Sequence, residues 1–362
     1  MSLIDRLELS VPLIQAPMAG VATPSLAAAV SEAGALGSIG VGATDAAGAR
    51  AMIEEVRSST TRAFNVNVFV HAGPKADLSR EAQWLDWLAP LFAEYGAQPP
   101  TALMTIYKSF ADDPDMVAVL LDLAPPVVSF HFGLPSADVL SALRARGIYL
   151  MATATSLNEA HAIEAAGIDA VIAQGIEAGG HRGVFDPIAP DDALGVFALT
   201  RLLVRKNNLP IIAAGGIMDG AGIAAALDLG ASAAQLGTAF VACPESAADD
   251  AYRAAITGEG AYHTVLTSLI SGRPARALAN RFTALSQSVD ERRPPDYPIA
   301  YDAGKALHAA AKAQGEHGFG AQWAGQGAPL SRAMPAAALV RVLREEFELR
   351  RIRGSVERCD VP

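Results

Sequence analysis

Cysteine is scarce in this chain, with Cys243 and Cys359 the only two among 362 residues. So few thiols, so far apart, exclude a disulfide framework and a thiolate metal site, and a reducing cytoplasm is the expected compartment. Positive charge is also in deficit. Against 38 Asp+Glu there are 28 Lys+Arg, a net charge of -10, which gives no electrostatic basis for binding nucleic acid or an anionic membrane. An anionic ligand would have to be held by local groups. No apolar run approaches the roughly 20 residues that span a bilayer. The start, Met1-Ser2-Leu3-Ile4-Asp5, lacks a basic stretch followed by an apolar one, so a soluble, unprocessed protein is expected.

What the chain has is aliphatic packing material. It is 51% hydrophobic but only 6% aromatic and 18% charged, a balance that suits parallel strands covered by helices. Short aliphatic runs at 13–17, 36–41, 63–69, 127–132, 148–153, 170–174, 210–214 and 233–237 alternate with alanine-rich amphipathic stretches such as 24–33, 158–166 and 222–229. Alternation of this kind implies parallel pairing. Three of the helical stretches end at Gly34, Gly167 and Gly230, where glycine can take the left-handed cap. Eight units predict an α/β fold, a (β/α)8 TIM barrel with ligands at the C-terminal ends of its strands; a doubly wound open sheet is the alternative.

Two stretches break the rhythm. Residues 71–123 read as an elaborated loop after the third strand, and residues 243–329 as a helical cap inserted after the eighth. The expected domains are therefore a barrel of 1–242 and 330–362 and a cap of 243–329. Leu339, Leu343 and Phe347, at helical spacing in 335–351, predict a final helix packing back on the barrel.

The stretch Gln174 to Gly183, with Gly179-Gly180-His181 at its centre, follows the sixth strand and is the first candidate for chemistry. Paired glycines let a flat ligand approach the backbone, although a tight turn carrying a solvated histidine would look the same. The glycines after the last two strands, Gly215-Gly216 and Gly237-Thr238, sit where this fold commonly holds a phosphate on backbone N–H groups; tight turns alone would also explain them. Gly220-Ala221-Gly222 imitates a dinucleotide fingerprint, but the next strand ends without an acidic ribose ligand. Glu177 and His181 lie four apart, yet the glycines between them argue against a helix-borne metal pair, and no metal is expected.

Gln15 to Gly20 closes the first strand with small residues and Met18, open to a flat ring or simply core. Asn65 and Asn67 share one side of the third strand as candidate readers of a polar ring edge or as buried amides satisfied internally. His131 ends the fourth strand, at the same rim as His181, as a ligand or a hydrogen-bonded structural histidine. In the cap, Tyr297, Tyr301 and Lys305 fall on one helical face, able to hold a small anion or merely to form an amphipathic stripe.

Taken together, Gln15 to Gly20, Ser129 to Gly133, Gln174 to Gly183, Gly215-Gly216-Ile217, Gln235 to Thr238 and Tyr297 to Lys305 resemble, in order and over nearly the whole chain, the nitronate monooxygenases, formerly called 2-nitropropane dioxygenases, and their bacterial class I branch in particular. The resemblance implies an FMN enzyme that oxidises alkyl nitronates, propionate 3-nitronate among them, with O2 to a carbonyl compound and nitrite through a flavin semiquinone. It implies His181 as the base for neutral nitroalkanes. It implies a substrate pocket of His131, Tyr107, Tyr252, Tyr297, Tyr301 and Lys305. FMN would lie on Met18, Ala19, Gly20, Asn67, Gln174, Gly179, Gly180, Gly215, Gly216, Gln235, Gly237 and Thr238, with Ser286 as a further contact. The expected partners are the nitronate and O2, and the expected assembly is a monomer or homodimer. An FMN-dependent NAD(P)H:quinone or enoyl reductase and a non-catalytic flavin-binding barrel remain alternatives on the same fold.

Overall fold

A computed structural model describes residues 3–287 and 294–359. Eight strands run parallel: β1 (Leu13–Gln15), β2 (Gly37–Gly40), β3 (Phe64–Phe69), β4 (Val127–His131), β5 (Tyr149–Ala154), β6 (Ala170–Gln174), β8 (Ile211–Ala214) and β9 (Ala233–Leu236). A two-residue strand, β7 (Gly180–His181), intervenes in sequence but lies outside this sheet. The sheet order is β1-β9-β8-β6-β5-β4-β3-β2. A parallel bridge between Ile14 and Leu36 then joins its two edges, with Gln15 N donating to Leu36 O at 2.9 Å and Leu36 N to Leu13 O at 3.0 Å. The sheet is thus a closed TIM barrel, and the open-sheet alternative falls.

The local chemistry explains the elements. Thr23, Asp45, Ser136, Ser156 and Asp219 each cap a helix by accepting from the backbone N–H three residues on, which satisfies one of the donors a helix start leaves open. The capping by Asp219 makes the Gly220-Ala221-Gly222 run the first turn of a helix, Gly220–Asp228. Gly34, Gly167 and Gly230 adopt φ of 91°, 74° and 102°, the left-handed stops expected of them. The final helix, Ala336–Cys359, outruns the expected 335–351 and seats Leu339, Leu343 and Phe347 in one core with Ile223 and Ala226.

The cap is not purely helical. Helices Asp250–Thr257 and Ile299–Ala313 flank two strands, β10 (Thr264–Thr267) and β11 (Ala275–Leu278), which pair antiparallel. β7 joins them, with Ala275 opposite His181. The strands went unread because Val265 and Leu266 and then Ala275 to Leu278 are short runs in an alanine-rich background. Nor is the 71–123 segment a separate loop: Trp84, Leu88 and Phe92 of its helix Leu78–Glu94 share a core with Ile270, Phe282, Leu307 and Phe319 of the cap. Two insertions, one after β3 and one after β9, therefore close jointly over the C-terminal mouth of the barrel.

Candidate active site

At that mouth lies a cavity of about 1300 Å³, its open side included. Its walls come from the ends of β1, β3, β4, β5, β6, β8 and β9, and its ceiling from the two insertions. Met18, Ala19, Asn67, Tyr107, His131, Gln174, Gly179, Gly180, His181, Gly215, Gly216, Gln235, Gly237, Thr238, Tyr252, Tyr297 and Tyr301 all line it. The structure thus gathers residues that lie as far apart in sequence as Met18 and Tyr301.

Three expected residues stand elsewhere. Gly20 is exposed, one step past Ala19, at φ 77°, and serves the turn in which Val21 N donates to Met18 O. Ser286 is exposed and shares a 3.1 Å hydrogen bond with Thr267 Oγ1. Lys305 is exposed at the outer side of the ceiling, its Nζ 4.9 Å from the Tyr107 ring centre and 5.5 Å from that of Tyr301. Burial by these rings pulls its pKa down, against the pull of Asp302. It faces the cavity through the two phenols rather than directly.

The floor fits a flavin phosphate and ring. Backbone N–H groups of Gly216, Gly237 and Thr238 have no protein acceptor among the described residues. The Cβ of any other residue at Gly237 would come within 3.3 Å of Ala16, closing the cradle. Gln235 Oε1 is buried without a partner, and a buried acceptor left so is costly unless a ligand N–H satisfies it. Asn67 spends its amide N–H on Ser129 O at 3.1 Å and Oγ at 2.9 Å, which leaves its carbonyl oxygen for the cavity. Asn65, one layer deeper, bonds Ser38 Oγ and Ser129 Oγ and is fully buried barrel interior. Gly179 owes its identity to protein rather than ligand: a Cβ there would lie 2.5 Å from Gly325 N.

The loop that carries His181 is clamped from both ends. Gln174 Nε2 donates to His181 O at 3.0 Å, and its Oε1 accepts from Gly183 N at 2.8 Å. Buried Arg182 donates to Gln174 O at 2.6 Å and grips Asp191 through two bonds of 2.7 and 3.0 Å. Glu177 accepts twice from Val196 N, at 3.0 and 2.9 Å, so it anchors the next helix instead of pairing with His181.

The two rim histidines differ in what their nitrogens do. His131 Nε2 lies 3.2 Å from His181 O; a carbonyl only accepts, so Nε2 carries the proton. Its Nδ1 then accepts from Thr153 Oγ1 at 3.0 Å, and both nitrogens are spent on positioning. His181 Nε2 pairs with Ser271 Oγ at 2.9 Å, and its Nδ1 has no protein partner among the described residues. Its ring is ringed by Trp323, Tyr297, Phe132 and Tyr301 at 5.0, 5.3, 5.7 and 6.2 Å between centres. Burial, with His131, Arg273 and His71 adding repulsion, pushes the His181 pKa down to about 3, and burial takes His131 to about 4. Burial raises every phenol, Tyr107 to about 12 and Tyr252, Tyr297 and Tyr301 further. At neutral pH the site therefore offers neutral imidazoles and protonated phenols.

Sequence reasoning did not reach Thr153, Ser271, Arg273 or Trp323. Ser271 and Arg273 lie in the hairpin turn between β10 and β11, and Trp323 in irregular chain beyond the helix Ile299–Ala313; none sits in a recognisable motif. The isolated Ser271-Gly272-Arg273-Pro274 turn was the one signal available.

Comparison with known proteins gives a family and one further structural likeness, the solved FabK of Thermotoga maritima, which superposes with a TM-score of 0.74 at 31% identity over 98% of this chain and 99% of that one. The family model described as nitronate monooxygenase matches residues 1–346. The chain is 62% identical over 347 residues to the nitronate monooxygenase of Paraburkholderia phytofirmans, covering 96% of this chain and 95% of that one. It is 57% identical over 338 residues to that of Pseudomonas aeruginosa, covering 93% and 96%. The solved nitroalkane oxidase of Streptomyces ansochromogenes superposes with a TM-score of 0.87 at 41% identity, over 98% of this chain and 99% of that one. With the barrel, the cradle and the histidine at its mouth already in place, these matches establish that the chain belongs to the nitronate monooxygenase family.

Proposed function

We propose that the protein binds FMN at the barrel mouth and oxidises alkyl nitronates with O2 to a carbonyl compound and nitrite. The observation that carries this reading is the pairing of a glycine cradle whose N–H groups lack protein acceptors among the described residues with one rim histidine, His181, whose Nδ1 has no partner among them. In this reading Gly216, Gly237 and Thr238 hold the phosphate, and Met18, Ala19, Asn67, Gln174, Gly179, Gly180, Gly215 and Gln235 surround the ring. When bound, FMN supplies the electron acceptor and the place where O2 reacts.

The chain's own residues do the rest. The phenols of Tyr107, Tyr297 and Tyr301, held protonated by burial, donate to the nitro oxygens and orient the anion. Tyr252 is a wall: its hydroxyl is committed to Trp323 O. Lys305 lends positive charge from behind Tyr107 and Tyr301, which favours an anionic substrate and suits a carboxylated one such as propionate 3-nitronate. His131 holds the His181 backbone. A neutral nitroalkane must first lose its α-proton; His181 Nδ1 accepts it, and the electron pair stays on the nitronate. A substrate that arrives ionised bypasses that step. The two insertions roof the cavity with Tyr107, Tyr252, Tyr297, Tyr301 and Trp323.

The test is a substrate panel with nitrite detection, using purified yellow protein with alkyl nitronates, their neutral nitroalkanes and propionate 3-nitronate. Nitrite release from the nitronates with O2 consumption is expected. Release from none of them, with flavin bound, would leave a flavin-binding barrel without this activity.

A further inference from the structure

The cap hairpin reaches His181 Nε2, a rim nitrogen that the barrel leaves unfixed. The loop between β10 and β11 delivers Ser271, 1% exposed, to within 2.9 Å of His181 Nε2. A serine hydroxyl has one proton to give. Here it donates to Arg273 O at 3.1 Å, and the carbonyl cannot return a proton. Ser271 Oγ accepts from Arg273 N at 3.4 Å and has a lone pair left for His181. With the hydroxyl proton on Arg273 O, the proton between Ser271 and His181 comes from the imidazole, an arrangement in which Nε2 is N–H and Nδ1 the bare nitrogen. The loop holds this geometry tightly: Gly272 sits at φ 87°, and a Cβ there would come 2.3 Å from Pro295 O and 2.7 Å from Tyr297 N.

We propose that Ser271 is a positioning residue that fixes the His181 tautomer, presenting an unprotonated Nδ1 to the substrate. This rests on the reading of His181 as the base for neutral nitroalkanes. His181 comes from the 174–183 loop and Ser271 from the cap hairpin that pairs with it, so the cap would not merely cover the site but set its acid–base state. The step it prepares is transfer of the α-proton from carbon to Nδ1, giving the nitronate and an imidazolium whose Nε2–H still donates to Ser271. The same hydrogen bond thus serves both protonation states and strengthens when the ring is charged.

The direct test is the ¹⁵N spectrum of the flavin-loaded protein labelled in its histidine rings at neutral pH, with His181→Asn identifying the resonances of His181. The expected result is a protonated Nε2 and an unprotonated Nδ1; a protonated Nδ1 in the unsubstituted protein would overturn the proposal. The second arm compares kcat/KM for a neutral nitroalkane with that for its preformed nitronate. In Ser271→Ala the neutral-to-ionised ratio should fall tenfold or more, up to the 10²–10⁴ that general base catalysis supplies, and Ser271→Thr should restore it. An equal fall on both substrates, or no rescue by threonine, would also overturn it. Failure of the base reading is separate: His181→Asn would then leave the ratio unchanged whatever tautomer the spectrum shows.

Discussion

At the residue scale, the site consists of groups kept uncharged by burial. His71 has neither ring nitrogen bonded, and burial with the nearby Arg273 guanidinium takes its pKa to about 4, alongside His131 at about 4 and His181 at about 3. Each imidazole regains its ordinary proton affinity when the chain unfolds. Below pH 6.5 unfolding therefore takes up protons, and stability falls as the pH drops towards the folded values. The cost reaches about 2 kcal/mol per histidine between pH 6.5 and 5. The urea midpoint should accordingly fall from pH 7.5 to pH 5, and His71→Phe should lessen that dependence; a midpoint independent of pH would contradict the burial of these rings. For catalysis, His181→Asn should lower kcat/KM for neutral nitroalkanes by about 10²-fold or more while changing that for preformed nitronates far less. Equal losses would remove His181 from the base role.

At the scale of elements, the site is a junction of loops locked by single residues. The 174–183 loop is legible as a glycine-rich strand end, because it follows an aliphatic run that reads as a buried strand. What the pattern does not reveal is the division of labour inside it. Gly179 is required by the Ala324–Gly325 backbone lying against it, a contact nearly 150 residues away in sequence that no local periodicity encodes. Gly179→Ala must push that backbone aside, and overpacking of this kind costs about 1–3 kcal/mol. The expected outcome is a lower urea midpoint together with weaker flavin retention, since Trp323 is displaced with its neighbours. Unchanged stability and flavin content would show that the segment yields freely. The ceiling has a comparable pin: Asp302 accepts from Met104 N at 2.9 Å, tying the Tyr107 loop to the helix that carries Tyr301. Asp302→Ala should raise KM for small nitronates several-fold with little change in kcat, by letting Tyr107 drift; a fall in kcat at constant KM would argue against that role.

At the scale of the whole molecule, the barrel was readable and the cap only in part, its helix Ile299–Ala313 but not its strands. Eight aliphatic runs with glycine stops report directly on parallel strands and helix ends, since each depends on residues adjacent in sequence. The cap depends on meetings between distant segments: Trp84 with Phe282, Arg80 with Asp296 at 2.8 Å, and Ser271 with His181. Its two strands are too short and too alanine-rich to stand out, so the segment reads as helical, and the residue that fixes the His181 tautomer is hidden with them. Lys305 and Ser286 show the converse. Both lie in a recognisable neighbourhood, yet Lys305 stands behind two phenols and the Ser286 hydroxyl is spent on Thr267.

Nitronates should reduce the flavin proposed to bind at this mouth. Purified FMN-loaded protein mixed anaerobically with an alkyl nitronate, and separately with NADH, tests it through flavin absorbance alone. The nitronate should bleach the oxidised flavin spectrum within the mixing series, and NADH should leave it intact. Bleaching by NADH and not by the nitronate would contradict the account and mark the protein as a nicotinamide-dependent flavin reductase on the same barrel.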